Sequence, residues 1–262
     1  MRNDTSLICQ FNFEQSEGLT ARLIECTEAL FSLFHYPIKK VYTFSGEKNL
    51  SPTYQKLKVF TNPDYFDTIT FRSDYRKEDF EPQTRLHVCI DNSLTKGSPY
   101  TLPKSMVKFT VVVNDVCLIE HIDRTYASIL LPLSEIPQRK TAGYSFLFPN
   151  RYGAVSFSFG VLRSANLPRP LQDLARWYRD SDTEKCVPGL FNCFTGLAQK
   201  QIEALKRVVG QENISSVKEI VYFKNKFMDS TDPSDCLTSD AYRNFCDRLS
   251  GEFYFLGETR AY

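Results

Sequence analysis

The sequence predicts an α+β fold with a mixed or antiparallel β-sheet core, an N-terminal helix and a C-terminal group of helices. Three observations lead there. Leu19, Leu23, Cys26, Leu30 and Leu33 recur at helical spacing near the start of the chain. Short runs rich in β-branched and aromatic residues, split by proline-bearing joints, fill residues 56–162. After Leu167-Pro-Arg-Pro170 the helical spacing returns.

Taken in order, residues 6–13 (Ser-Leu-Ile-Cys-Gln-Phe-Asn-Phe) read as a strand. Residues 17–34 read as an amphipathic helix, with Ser16 as N-cap and Pro37 ending the pattern. Residues 40–44 are a short strand. Eight further strands are predicted at 56–61, 66–72, 85–90, 106–114, 116–122, 126–131, 144–148 and 154–162. In the last, Val155, Phe157, Phe159 and Val161 alternate with small residues. Asn114-Asp115 suits a tight hairpin turn between two apolar runs. Helices are predicted at 171–178, 195–209 and 240–249, with Gly210 as a stop for the second and Ser239 or Asp240 capping the third. Strands are predicted at 218–224 and 252–256. The chain reads as a single α+β domain over residues 1–262, or as a β-rich half (1–165) and a helix-rich half (166–262) sharing one sheet.

Composition narrows the function classes. There are 21 Phe and 14 Tyr against 3 His and 11 Gly. Gly-rich phosphate loops and His-centred catalytic sites need the scarce residues, while large aromatics serve cores and protein-binding surfaces. No nucleophile elbow, dinucleotide fingerprint, phosphate-binding loop or zinc-protease motif occurs. Lys+Arg 32 against Asp+Glu 31 gives a net charge of +1, without the basic excess that duplex binding favours, so no nucleic acid is expected. No apolar run is long enough for a membrane span, so no membrane association is expected. The eight cysteines (9, 26, 89, 117, 186, 193, 236 and 246) contain no C-x-x-C pair. They read as reduced, structural thiols of a cytoplasmic protein; an even number also permits disulfides in an oxidising compartment.

Several constellations bear on chemistry. His87 with Cys89, and Cys117 with His121, share strand faces in this reading, and paired strands would bring four zinc-type ligands together. Ordinary half-buried strand residues explain the same pattern, and no metal or other cofactor is expected. His121 with Asp123 resembles a general base and its carboxylate, with no nucleophile placed beside it. Asp229, Asp232, Asp235 and Asp240 are spaced wrongly for a calcium loop and read as a solvated segment. The best candidate for partner binding is the mixed-charge stretch from Arg72 to Glu81. Asp74, Tyr75, Arg76, Asp79 and Phe80 lie in it, and Asp64 and Tyr65 just before it. Trp177, off the apolar stripe of its predicted helix, joins them.

The order of elements resembles a family of bacterial polymorphic-toxin immunity proteins, the one catalogued as immunity protein fifty-two. Four stretches carry it: Leu7-Ile-Cys-Gln-Phe11 through Leu33; Thr68-Ile-Thr-Phe-Arg72 with Arg85-Leu-His-Val-Cys-Ile90; Leu102-Pro-Lys-Ser-Met-Val-Lys-Phe-Thr110; and Val221-Tyr-Phe223 with Thr231-Asp-Pro233 and Ala241 to Leu249. No functional residue is carried over, because none matches specifically. The resemblance implies a non-enzymatic protein that binds a cognate protein toxin and blocks it. Two other classes stand beside it: a hydrolase or transferase using His121 with Asp123 or with His87, and a homo-oligomeric scaffold.

Overall fold

The computed structural model describes residues 5–45, 48–50, 66–73, 85–92, 106–136, 141–149, 189–228 and 240–252. Strand β1 (Thr5–Glu14) leads through a left-handed Gly18 (φ 72) into helix α1 (Leu19–Leu33). The first helical N–H, that of Leu19, donates to the Ser16 carbonyl; Gly18, and not Ser16, is the N-cap. Strands β2 (Lys40–Ser45), β3 (Lys48–Leu50), β4 (Thr68–Arg72), β5 (Leu86–Asp91) and β6 (Met106–Val113) follow.

Residues 116–133 correct the sequence reading. The strands expected at 116–122 and 126–131 are helices α2 (Val116–Glu120) and α3 (Ile122–Leu133). Asp115, expected in a hairpin turn, is instead the N-cap of α2, with its Oδ1 accepting from the Leu118 N–H at 3.1 Å. The buried Ile119, Tyr126, Ile129, Leu130 and Leu133 fall at helical spacing, so the helix buries what a strand would have left half exposed. Strand β7 (Thr141–Pro149) and strand β8 (Phe191–Phe194) come next, then helix α4 (Gln199–Val209). The Gln201 side chain reaches back to the Ala198 N–H at 2.9 Å, and Gly210 (φ 88) ends α4 as expected. Strand β9 (Ile214–Val217), strand β10 (Ile220–Lys224) and helix α5 (Asp240–Glu252) complete the described elements. The expected strand 218–224 therefore starts later, because Lys218 and Glu219 form the turn of a hairpin with β9.

The ten described strands form one sheet in the order β3-β2-β4-β5-β6-β1-β7-β8-β10-β9, with each of these pairings antiparallel. The first strand is thus central, and the sheet runs on from β7 into the helix-rich C-terminal stretch. Alternation sorts the side chains by face. One face carries Phe71, Val88, Ile90, Phe109, Val111, Cys9 and Phe11, buried with α1 and α3 in the main core. Near β8 and β10 the opposite face carries Phe194 and Phe223, packed with Leu205, Val209, Phe245 and Leu249 of α4 and α5. The sheet is therefore covered by helices on opposite faces at that end.

The end of α1 shows how local geometry locks these layers. Tyr36 N–H donates to Phe31 O at 2.9 Å and His35 N–H to Ser32 O at 3.1 Å, a Schellman closure that puts His35 in the left-handed region (φ 58). The Tyr36 hydroxyl then donates to the Asp115 carboxylate, tying the end of α1 to the start of α2. Burial, with Asp115 beside it, pushes the Tyr36 phenol up to about 12. A side chain at φ 58 carries a steric cost that glycine avoids. His35→Gly is therefore expected to raise stability by about 1 kcal/mol, read as a shifted urea midpoint.

Candidate functional site

Three regions of the fold bring polar chemistry together. The first is the face of strands β2, β4, β5, β6 and β1 that looks away from α1 and α3. The register aligns Lys40, Arg72 and His87 in one row, Tyr42, Thr70, Cys89, Thr110 and Gln10 in the next, and Asp91, Lys108 and Asn12 in a third. Lys40 Nζ lies 4.4 Å and Arg72 Cζ 5.1 Å from the Tyr42 ring centroid, so the ring holds two cations. Lys108 is buried opposite Asp91 on the neighbouring strand; burial pushes its ammonium pKa down and the Asp91 charge partly restores it. Thr70 donates to Cys89 Sγ at 3.6 Å.

Burial sets the chemistry of this face. Enclosure, aided by the Arg72 charge, lowers the His87 imidazole to about 4, and enclosure raises the Cys89 thiol to about 11. At neutral pH this places a neutral imidazole two residues from a protonated thiol, the reverse of a thiolate–imidazolium pair. His87 Nε2 and Gln10 Oε1 are enclosed without a hydrogen-bond partner among the described residues.

The convergence of His87 and Cys89 with Cys117 and His121 required two facing strands, and that premise fails. Cys117 is on α2 and His121 ends it, both exposed, while His87 and Cys89 are in the sheet. No group of three or more metal-type side chains occurs among the described residues. Asp123, expected to share a strand face with His121, sits in the first turn of α3 and pairs with Lys224 Nζ at 3.1 Å. Cys9, Cys26, Cys89, Cys117 and Cys193 are not in disulfides.

The second region is a cavity of about 350 Å³ between α3 and the sheet. Its floor is Phe11 and Phe13 of β1, Leu130 and Leu133 of α3, Ile136 and Ile220. Phe11 and Phe13 are each 1% exposed, so the cavity reaches the main core. Open at its rim, a cleft of this size has room for a large apolar side chain. At the rim, Lys218 Nζ is ion-paired with the Glu135 carboxylate. Lys218 sits in the two-residue β9–β10 turn at φ 52, a conformation that glycine or asparagine usually takes. Holding a non-glycine residue in this conformation costs about 1 kcal/mol. The rim thus joins an apolar slot to a charged pair, the layout of a pocket for a side-chain anchor. The third polar region, a smaller hollow beside α5, is treated below.

The residues expected to bind a partner, Asp64, Tyr65, Asp74, Tyr75, Arg76, Asp79, Phe80 and Trp177, lie outside the described residues, as do Asp229, Asp232 and Asp235. Glu135 and Lys218 were not singled out in the sequence. The only available signal was the Lys-Glu pair between two short β-like runs.

No protein-family profile matches the chain. No curated protein matches it either. Among solved structures, the fold is similar to that of the Pseudomonas aeruginosa T6SS protein PA0821. The TM-score is 0.50, covering 96% of this chain and 90% of that chain, at 10% sequence identity. The likeness is one of fold, and it spans both the β-rich and the helix-rich stretches. No described helix is long and apolar enough to cross a membrane.

Proposed function

We propose that this protein is an immunity protein, which binds a cognate bacterial toxin and neutralises it by protein–protein contact. The observation that carries the reading is the likeness of fold, over nearly the whole chain, to a protein of a type VI secretion system. The element order that resembles immunity proteins points the same way. The cavity beneath Glu135 and Lys218 supplies a matching geometry, in which an apolar side chain of the toxin fills the slot and a polar neighbour engages the ion pair. Such central anchors dominate the affinity of preorganised interfaces.

The decisive experiment is genetic. Deleting this gene in cells that make the toxin encoded beside it is expected to kill them, and restoring it to rescue them; survival of the deletion with an active toxin present sinks the reading. A second test locates the contact. Glu135→Lys reverses an exposed rim charge, and Lys218→Gly removes the other rim charge while relieving the turn. Both are expected to keep the fold and weaken the toxin complex by about tenfold or more. Unchanged affinity in both variants would move the contact elsewhere.

A further inference from the structure

On the opposite face of the sheet from the Glu135–Lys218 cavity lies the smaller hollow, of about 120 Å³, between the end of α4, the turn after β10 and helix α5. Ala241, Asn244, Phe245 and Arg248 line it at helical spacing, so one face of α5 forms a wall. Phe227 and Phe245, with ring centroids 5.4 Å apart, form an apolar side. The charged groups are of one sign. Lys226 and Arg248 line the hollow, and no described lining residue is a carboxylate. Lys224 also lines it, but its Nζ is held by Asp123 across the sheet. Lys226 contacts the Phe227 ring at 5.6 Å, and neither Lys226 nor Arg248 is in an ion pair among the described residues.

Asn225 adds an independent observation. It is 2% exposed, and its Oδ1 accepts from the Phe227 N–H at 3.0 Å. Its Nδ2 is enclosed with no hydrogen-bond acceptor among the described residues. A buried donor without an acceptor is costly, so an acceptor that reached it would be favoured. Asn244 brings a second amide to the hollow. Two cations without an ion pair or a lining carboxylate among the described residues, together with amide donors, make a site suited to an acceptor.

We propose that this hollow binds a small oxyanion, either inorganic phosphate or the carboxylate of an acidic peptide side chain, held chiefly by Arg248 and Lys226 with the Asn225 and Asn244 amides completing its hydrogen bonds. The volume suits one such group. The site is independent of the toxin-binding reading, since none of its lining residues borders the Glu135–Lys218 cavity.

The test is a calorimetric and NMR titration of the full chain with two probes, inorganic phosphate and N-acetylglutamate, at matched ionic strength with chloride as the control. Saturable binding of one or both is expected, with amide shifts centred on Asn225, Asn244 and Arg248; the probe that saturates identifies the source. Arg248→Gln with Lys226→Gln, both at exposed positions, is expected to weaken that binding about tenfold or more while leaving the circular dichroism unchanged. Absence of saturation by either probe overturns the proposal, as does equal binding by the double variant.

Discussion

Replacing Tyr126 by alanine is expected to destabilise the protein by about 3–5 kcal/mol, whereas replacing it by phenylalanine is expected to change stability by less than about 1 kcal/mol. Tyr126 is fully buried under α3 and stacks on Phe191 with ring centroids 4.4 Å apart at an interplanar angle of 10°. Tyr222 tilts against its other side at 5.7 Å. One ring therefore ties α3 to both β8 and β10, and truncation removes two aromatic pairs and leaves a large hole. The hydroxyl contributes little. It lies against the Cys9 and Cys193 thiols and makes no hydrogen bond of ordinary geometry among the described residues. Burial beside those groups raises the phenol well above its usual pKa, so it stays neutral. Thermal unfolding should fall by on the order of 10 °C in the alanine variant. A loss in the phenylalanine variant as large as in the alanine variant would show that the hydroxyl, and not the ring, carries the energy.

The second large effect is a dependence on pH. His87 titrates near 4 in the folded chain and near the ordinary 6.5 when unfolded, because burial and Arg72 disfavour the imidazolium. Between those values the unfolded state binds the extra proton, so stability falls as the solution is acidified. The contribution is fully present above pH 6.5 and is lost by about pH 4, amounting to at most about 3 kcal/mol. Carboxylates add their own acid dependence, so the measurement is a difference. Urea unfolding of wild type and His87→Leu between pH 7 and pH 4 is expected to show a flatter profile in the variant. Parallel profiles would mean that the imidazole is solvated in the folded state.

The strands and helices that sequence reading located are those whose neighbours impose a single period. Leu7, Cys9, Phe11 and Phe13 alternate because β1 has one wholly apolar face, and Leu19 to Leu30 keep helical spacing because α1 buries one stripe. Residues 116–133 failed because Val116-Cys-Leu-Ile and Ser128-Ile-Leu-Leu are apolar runs with no clear polar phase, and a short apolar run fits either period. The cap by Asp115 decided the matter, and a residue of that type before an apolar run serves a turn as readily as a helix. The β9–β10 turn was hidden for a different reason. Lysine is a poor residue for a left-handed turn position, so Lys218 gave no turn signal. The cavity is assembled from β1, α3, β8 and the β9–β10 hairpin, and only the tertiary fold brings these together.

The placement of β1 at the centre of the sheet sets the order of events on the ribosome. Leu7 pairs with Val113 on one side and with Leu147 on the other. β1 precedes both of its partners in the chain, so its two ladders close one after the other, first with β6 and then with β7. Until β6 is made, the apolar segment Leu7-Ile-Cys-Gln-Phe-Asn-Phe13 has no native neighbour in the sheet, and until β7 is made one of its edges stays open. Pairings this distant along the chain form slowly, and exposed strands of this kind are the usual substrates of holding chaperones. Full pairing of β1 therefore depends on a strand that ends at Pro149, far along the chain from Leu7.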